Sequence, residues 1–137
     1  MSALLLDTHI WLWYAEGAEN LSADTVMQIN QARAQRRLHV SVISVWEIGL
    51  LLAKNRIVLS APFQEWVELG TALPGLRLRM LSAEVAIEST LLPGSPHADP
   101  ADRFLIAETR VAGFTLVTAD RKIIDYGRAG HVRVLAA

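Results

Sequence analysis

The sequence contains no cysteine among its 137 residues. Disulfide scaffolds, zinc sites built from thiolates and cysteine nucleophiles are therefore excluded. Long apolar runs are also absent: the stretch 48–53 is far shorter than the roughly 18 residues that a membrane span requires. The N-terminal segment shows no basic region and no small-residue cleavage site, so no export signal is visible and we expect a cytoplasmic protein.

An excess of charge of one sign is also lacking, because 13 Lys and Arg residues face 14 Asp and Glu residues. This balance argues against a plain basic nucleic-acid binder. However, if five of the acids gather in one site, nine acids remain against 13 bases, and the rest of the molecule carries +4. A mean hydropathy of +0.28 is high for a small monomer and indicates apolar surface that partner subunits cover.

The length predicts one domain, over residues 1–137. Short apolar runs alternate with longer segments of period near 3.6, which is typical of an α/β fold with a mostly parallel sheet of four to five strands and helices on both faces. Strands are expected at 3–6, 38–42, 76–81, 114–117 and 131–135. Helices are expected at 22–35 and 44–54, and over the apolar faces of 63–73 and 104–111.

The acids occupy informative positions. Asp7 directly follows the first predicted strand, and Asp120 follows the fourth. Glu47 lies about one turn into the helix after the second strand, while Asp99 and Asp102 open the helix before the fourth. Ligand sites of open α/β folds lie outside the carboxyl edge of the sheet. Asp7, Glu47 and Asp120 belong at this edge. Asp99 and Asp102 join them if the loop before their helix brings its N-terminus to the same edge.

Each acid also has a plainer interpretation. Asp7, Asp99 and Asp120 stand where a helix N-cap is expected, and Asp102 suits a first helical turn. Glu47 differs, because it lies in an apolar segment where an unpaired carboxylate is costly. Several carboxylates in one crevice would repel one another unless one is protonated or a cation is bound. All-oxygen sites suit Mg²⁺ or Mn²⁺, and either ion can activate phosphate esters.

Four segments follow one another along the chain: LLLDTHIWLW (Leu4–Trp13), SVISVWEIGLL (Ser41–Leu51), HADPADRFLIAET (His97–Thr109) and LVTADRKI (Leu116–Ile123). In this order they resemble the PIN-domain ribonucleases and, among them, the VapC-type toxins of bacterial toxin–antitoxin pairs. The resemblance spans the chain and implies one PIN domain that hydrolyses RNA phosphodiester bonds as a metal-dependent endoribonuclease.

The resemblance also implies the site residues. The catalytic, metal-binding acids fall on Asp7, Glu47, Asp102 and Asp120, with Asp99, one helical turn before Asp102, as a fifth metal ligand and Thr118 as a polar support. They would hold one or two Mg²⁺ or Mn²⁺ ions.

The remaining polar and aromatic candidates have two interpretations each. Ser44 either hydrogen-bonds a ligand or caps its helix, and Arg103, Arg121 and Lys122 either contact phosphate or face solvent. His9 and His97 are taken as structural histidines rather than general bases. The four tryptophans could stack on bases, but we interpret them as core or interface residues. They are Trp11, Trp13, Trp46 and Trp66.

The family resemblance implies a homodimer and a small antitoxin that blocks the active-site groove. Leu12, Trp13 and the apolar face of Leu50–Leu52 are candidates for these contacts.

Other classes of protein fit less well. A haloacid-dehalogenase-type phosphatase could use Asp120 and Asp125 but needs a second Asp at the position of His9. A receiver domain needs a phosphoacceptor Asp after the third strand, where Ser82 and Ala83 stand. A nucleotide-binding module needs a glycine-rich phosphate loop, and neither standard motif occurs. A catalytically idle PIN-like binding module remains the alternative, although it has no need of four clustered carboxylates.

Overall fold

The computed structural model describes residues 3–96 and 98–137, so His97 lies outside the described residues. The five strands are β1 (Leu4–Leu6), β2 (Leu38–Ser41), β3 (Leu76–Arg79), β4 (Thr115–Thr118) and β5 (Val134–Ala136). The helices are α1 (Thr8–Ala15), α2 (Ala23–Ala34), α3 (Val42–Ala53), α4 (Phe63–Thr71), α5 (Ala83–Thr90), α6 (Pro100–Ala112) and α7 (Arg121–Arg128).

The strands form one sheet in the order β3-β2-β1-β4-β5, and every neighbouring pair is parallel. The predicted α/β architecture is confirmed. The chain builds the sheet outward from β1, first to one side and then, through β4, to the other. Strand order therefore reverses between β1 and β4, and the carboxyl ends of these two strands flank the crevice where doubly wound sheets bind ligands.

Helices cover both faces of the sheet, because alternate residues of each strand point to opposite sides. On β1, Leu4 and Leu6 pack into a cluster with α1 and α2, while Leu5 packs into a second cluster with α6 and α7. All three leucines are buried, as expected for a central parallel strand. Both faces of β1 are covered, so a ligand can approach this strand only beyond its end, at the carboxyl edge of the sheet.

The start of α3 differs from the prediction. The helix begins at Val42 rather than Ser44, because the Ser41 side chain accepts a hydrogen bond from the Ile43 amide at 3.1 Å and caps the first turn. Ser44 is therefore inside the helix, and its interpretation as the cap is wrong. The strands β3 and β5 are also shorter than predicted, ending at Arg79 and beginning at Val134.

Three helices, α1, α5 and α7, were not predicted from periodicity. Each has eight residues, which is little more than two turns and too short for a clear periodic pattern. Each begins directly after a side-chain cap, which is Asp7, Ser82 or Asp120. The caps rather than apolar spacing mark these helices.

The tryptophans divide between core and surface. Trp11 and Trp66 are buried and meet edge to face, with ring centroids 4.8 Å apart. Trp46 is 53% exposed and lies beside Glu47. Leu12 is buried in the core, so its expected role in a partner contact is wrong. In the described part of the chain, no helix combines the length and apolar character that crossing a bilayer requires.

Candidate metal centre

The carboxyl ends of β1 and β4 place two of the predicted acids at the crevice. The Asp7 amide donates to the Val117 carbonyl at 2.9 Å, which fixes the end of β1 against β4. The Asp7 carboxylate caps α1 by accepting from the Thr8 amide at 2.7 Å. Asp120 follows β4 and caps α7 in the same way. Both the capping and the site interpretation of these residues are thus compatible with the structure.

Three carboxylates from different elements converge there. Asp7 after β1, Glu47 on α3 and Asp102 on α6 each present one oxygen, and these atoms all lie within 4.8 Å of one another. Asp7 and Asp102 are buried, and Glu47 is partly buried. This spacing is close to that of oxygen ligands around one small cation, because oxygens at about 2.1 Å from Mg²⁺ lie up to about 4.2 Å apart.

Hydroxyl groups hold two of these carboxylates in place. Thr118 donates to Asp7 Oδ2 at 2.5 Å, and its oxygen accepts from the Asp120 amide at 3.0 Å. Thr8 hydrogen-bonds Glu47 Oε1, and its oxygen lies 2.9 Å from that of Ser44. Since a hydroxyl has one proton, Thr8 donates to Glu47 and accepts from Ser44.

Burial and mutual repulsion make the three acids difficult to ionise. Burial raises the pKa of Asp7 despite hydrogen bonds from Thr118 and Thr8, and burial likewise raises the pKa of Glu47. Burial also raises the pKa of Asp102, to about 8, with further contributions from the negative charges of its four acidic neighbours. A bound divalent cation would offset this cost. The donor set therefore fits a hard cation that prefers oxygen.

The two remaining acids lie at the border of the group. Asp99 is exposed and caps α6, accepting from the Ala101 amide at 2.9 Å and from the Asp102 amide at 3.4 Å. Asp120 accepts from the Lys122 amide at 2.8 Å. Both contribute to the raised pKa of Asp102. Their charges therefore act on the site, and each of the two residues caps its helix.

The basic residues near the acids differ in their surroundings. Arg103 is half-buried, and its Nε donates to the Ser89 carbonyl at 3.0 Å, which ties it to α5. Arg121 and Lys122 are exposed at the start of α7. His9 is exposed, with its ring 5.8 Å from that of Trp13. Arg121 and Lys122 are thus accessible to a phosphate at this edge.

Sequence reasoning missed two polar residues. Thr8 links Ser44 to Glu47, but a threonine in the first turn of a helix carries no signal by itself. Glu108 is buried on α6, and its Oε2 pairs with Arg79 Nε at 2.9 Å. Burial raises the pKa of Glu108. Glu108 follows apolar residues but precedes Thr109 and Arg110, so its sequence signal is weaker than that of Glu47.

Comparison with known proteins agrees with this geometry. The PIN domain family model matches residues 4–129. Ribonuclease VapC22 of Mycobacterium tuberculosis (strain ATCC 25618 / H37Rv) is 32% identical over 134 residues, covering 98% of this chain and 99% of the relative.

Solved structures share the fold at low sequence identity. DNA-bound VapBC from Salmonella typhimurium superposes with a TM-score of 0.65 at 16% identity, over 99% of this chain and 98% of that one. VapBC2 from Rickettsia felis, bound to a promoter DNA fragment, gives a TM-score of 0.68 at 14% identity, over 98% of each chain. The predicted resemblance is confirmed, and the chain belongs to the PIN domain family.

Proposed function

We propose that this protein is a metal-dependent endoribonuclease that hydrolyses RNA phosphodiester bonds and acts as the toxin of a VapBC-type toxin–antitoxin pair. The observation that carries the proposal is the convergence of three carboxylates at the switch point of a PIN domain. The similarity to a ribonuclease along nearly the whole chain supports the same reaction. We take residues 1–137 as one PIN domain and the cytoplasm, where its RNA would be found, as its compartment.

The five carboxylates have different roles in this proposal. Asp7, Glu47 and Asp102 would hold Mg²⁺ or Mn²⁺, with Asp120 and Asp99 adding negative charge or further ligands. When bound, such an ion polarises a phosphoryl oxygen and lowers the pKa of water.

The surrounding residues orient the acids and the substrate. The Thr118 hydroxyl donates to one oxygen of Asp7 and the Thr8 amide donates to the other, so both oxygens are held in place. Thr8 at the start of α1 orients Glu47, and Ser44 of α3 orients the Thr8 hydroxyl. Arg121 and Lys122, exposed beside Asp120, are placed to hold a phosphate of the RNA.

Two kinds of protein partner are part of the proposal. Trp46 is exposed directly beside Glu47, and Leu50 is exposed one turn further along α3. An antitoxin segment that covers these residues would also block the acids. A second copy of the chain would cover another apolar surface, the exposed side chains Ile87 and Leu91 at the end of α5.

The test of the reaction is Asp7→Asn. Asparagine caps a helix as well as aspartate does, and a neutral amide avoids the cost of burying a charge, so folding should be retained. Metal-dependent cleavage should be lost, because one of the three oxygens no longer carries charge. We would assay the purified chain on a mixture of structured RNAs with Mn²⁺, Mg²⁺ or EDTA.

The matched control is Asp24→Asn, an identical change at an exposed acid of α2. It should cleave at the unmodified rate. Cleavage by Asp7→Asn at that same rate would contradict the assignment of the metal centre. A folded protein that neither cleaves RNA nor binds Mn²⁺ would instead support a binding module.

A further inference from the structure

A groove of about 870 Å³ lies away from the metal centre. It is lined by the ends of α6 and α7, by the connection before β5, by Thr115 at the start of β4, and by Val134 and Ala136 of β5. None of the acids of the metal centre lines it. Because the strands are parallel, the amino ends of β4 and β5 lie at the edge of the sheet opposite to Asp7 and Asp120.

The lining of the groove is basic. Arg110, Arg128 and Arg133 line it together with His131, and its acid is Glu88. Glu88 accepts from Arg110 Nε at 2.8 Å, so its charge is already paired. A second nitrogen of Arg110 donates to the His131 carbonyl, which holds the guanidinium against the wall. Two arginines therefore remain in excess over the acid.

These two arginines are accessible. Arg133 is exposed, and Arg128 is 72% exposed. Arg128 lies 3.6 Å from Asp125, which is itself 61% exposed. An ion pair between two exposed side chains contributes little free energy. Exchanging Asp125 for a phosphate should therefore cost little.

Ring surface is present beside the charge. Phe114 and His131 both line the groove and are partly exposed. The Phe114 ring stacks on His39 with centroids 4.4 Å apart and has the Arg79 guanidinium 4.9 Å from its centroid, and the His131 ring packs on Tyr126 at 4.8 Å. These contacts hold the rings in place. Basic grooves with aromatic walls are typical of proteins that bind single-stranded nucleic acid.

The helix α7 joins the groove to the metal centre. Asp120 caps its first turn, and Arg121 follows at the first helical position. Arg128, at the last position, is seven residues or two turns later and therefore lies on the same side of the helix, about 10 Å away along its axis. Exposed arginines thus mark both ends of one face that runs from the acids to the groove.

We propose that this groove binds the phosphate backbone of a single-stranded segment of the RNA whose neighbouring segment lies at the metal centre. The proposal rests on the proposed ribonuclease function for the identity of the ligand. Arg128 and Arg133 bind phosphates, and the exposed parts of the Phe114 and His131 rings contact bases. The groove thereby adds affinity for RNAs that extend beyond the cleavage site.

The experiment measures RNA binding without cleavage. A fluorescein-labelled 12-nucleotide oligouridylate is titrated with the full chain in EDTA, and fluorescence anisotropy gives Kd at several salt concentrations. Arg128→Gln with Arg133→Gln should weaken binding about tenfold at low salt and reduce the slope of log K against log salt by about 1.4, since each lost single-strand phosphate contact removes about 0.7. Arg128→Glu with Arg133→Glu should weaken it further by repulsion.

The matched control reverses two exposed arginines elsewhere, Arg56→Glu with Arg77→Glu. It changes the net charge by the same amount as the Glu variant of the groove. Groove variants that bind like the control, or an unmodified chain that does not bind the oligonucleotide, would overturn the proposal. Circular dichroism melts check folding, and the neutral Gln pair supplies the test if the Glu pair is unfolded.

Cleavage assays separate the two proposals. If groove variants lose RNA affinity while the unmodified chain cleaves nothing with Mn²⁺, the groove proposal stands and the ribonuclease proposal fails. If the unmodified chain cleaves RNA and the groove variants match the control in both assays, the ribonuclease proposal stands and the groove proposal fails.

Discussion

Asp102 combines burial with four acidic neighbours, and these together raise its pKa from 3.8 to about 8. At pH values between 3.8 and about 8, Asp102 of the folded chain keeps a proton that the unfolded chain has released. The free energy of unfolding of the metal-free protein must therefore fall as the pH rises through this window. The raised pKa values of Asp7 and Glu47 act in the same direction. The site thus destabilises the empty fold and favours a bound cation.

Asp102→Asn should remove part of this pH dependence. In EDTA, the free energy of unfolding of the unmodified chain should fall relative to that of the variant by up to about 1.4 kcal/mol per pH unit between pH 5 and pH 8. Urea unfolding at four pH values measures the difference. Saturating Mn²⁺ should stabilise the unmodified chain at pH 8 and have a smaller effect on the variant. Parallel pH profiles for the two proteins would show that Asp102 is not the group concerned.

At the scale of the element, the N-terminus of α6 carries two acids three residues apart with different surroundings. Asp102 is buried within the three-carboxylate group, whereas Asp99 is exposed and caps the helix. Pro100 at the first helical position suits this cap, because the missing amide proton would have no partner there. The structure therefore separates a residue that points into the crevice from one that begins the helix.

Substituting Asp99 tests whether its carboxylate is needed as a ligand. Serine is as good a cap as aspartate, so Asp99→Ser should change the free energy of unfolding by less than about 0.5 kcal/mol and leave cleavage within a few-fold of the unmodified rate. Asp99→Ala should cost about 1 kcal/mol through the lost cap. Loss of cleavage in Asp99→Ser with an unchanged melting temperature would make Asp99 a metal ligand.

The elements also show what sequence alone could predict. The strands and the acids Asp7, Glu47 and Asp120 could be placed, because a parallel sheet brings the segments after successive strands to one edge. Asp102 lies on α6 before β4, so its place in the group depended on the loop before α6. The role of Thr8 could not be predicted from the sequence, since it depends on how α1 packs against α3. The start of α3 was placed two residues late, because Ser41 and Ser44 are equally good caps in sequence and the end of β2 decides between them.

At the scale of the whole molecule, eleven large apolar side chains of the described residues are exposed, and four of them lie on α3 and at the end of α5. Trp46 and Leu50 lie on α3 beside the acids, and Ile87 and Leu91 lie one turn apart at the end of α5. The high mean hydropathy inferred from composition thus has a structural location. Two surfaces match the two proposed partners, an antitoxin that must cover the acids and a second copy that must leave them accessible.

The pair Ile87→Glu and Leu91→Glu tests the second surface. The unmodified chain should elute as a dimer of twice 15.1 kDa, and the variant as a monomer, because two buried charges would face each other across a symmetric contact. Light scattering after gel filtration measures the mass. Val58→Glu, at a side chain 91% exposed, is the control and should remain dimeric. A variant that stays dimeric, while Trp46→Glu becomes monomeric, would place the contact between copies on α3, where it would compete with the antitoxin.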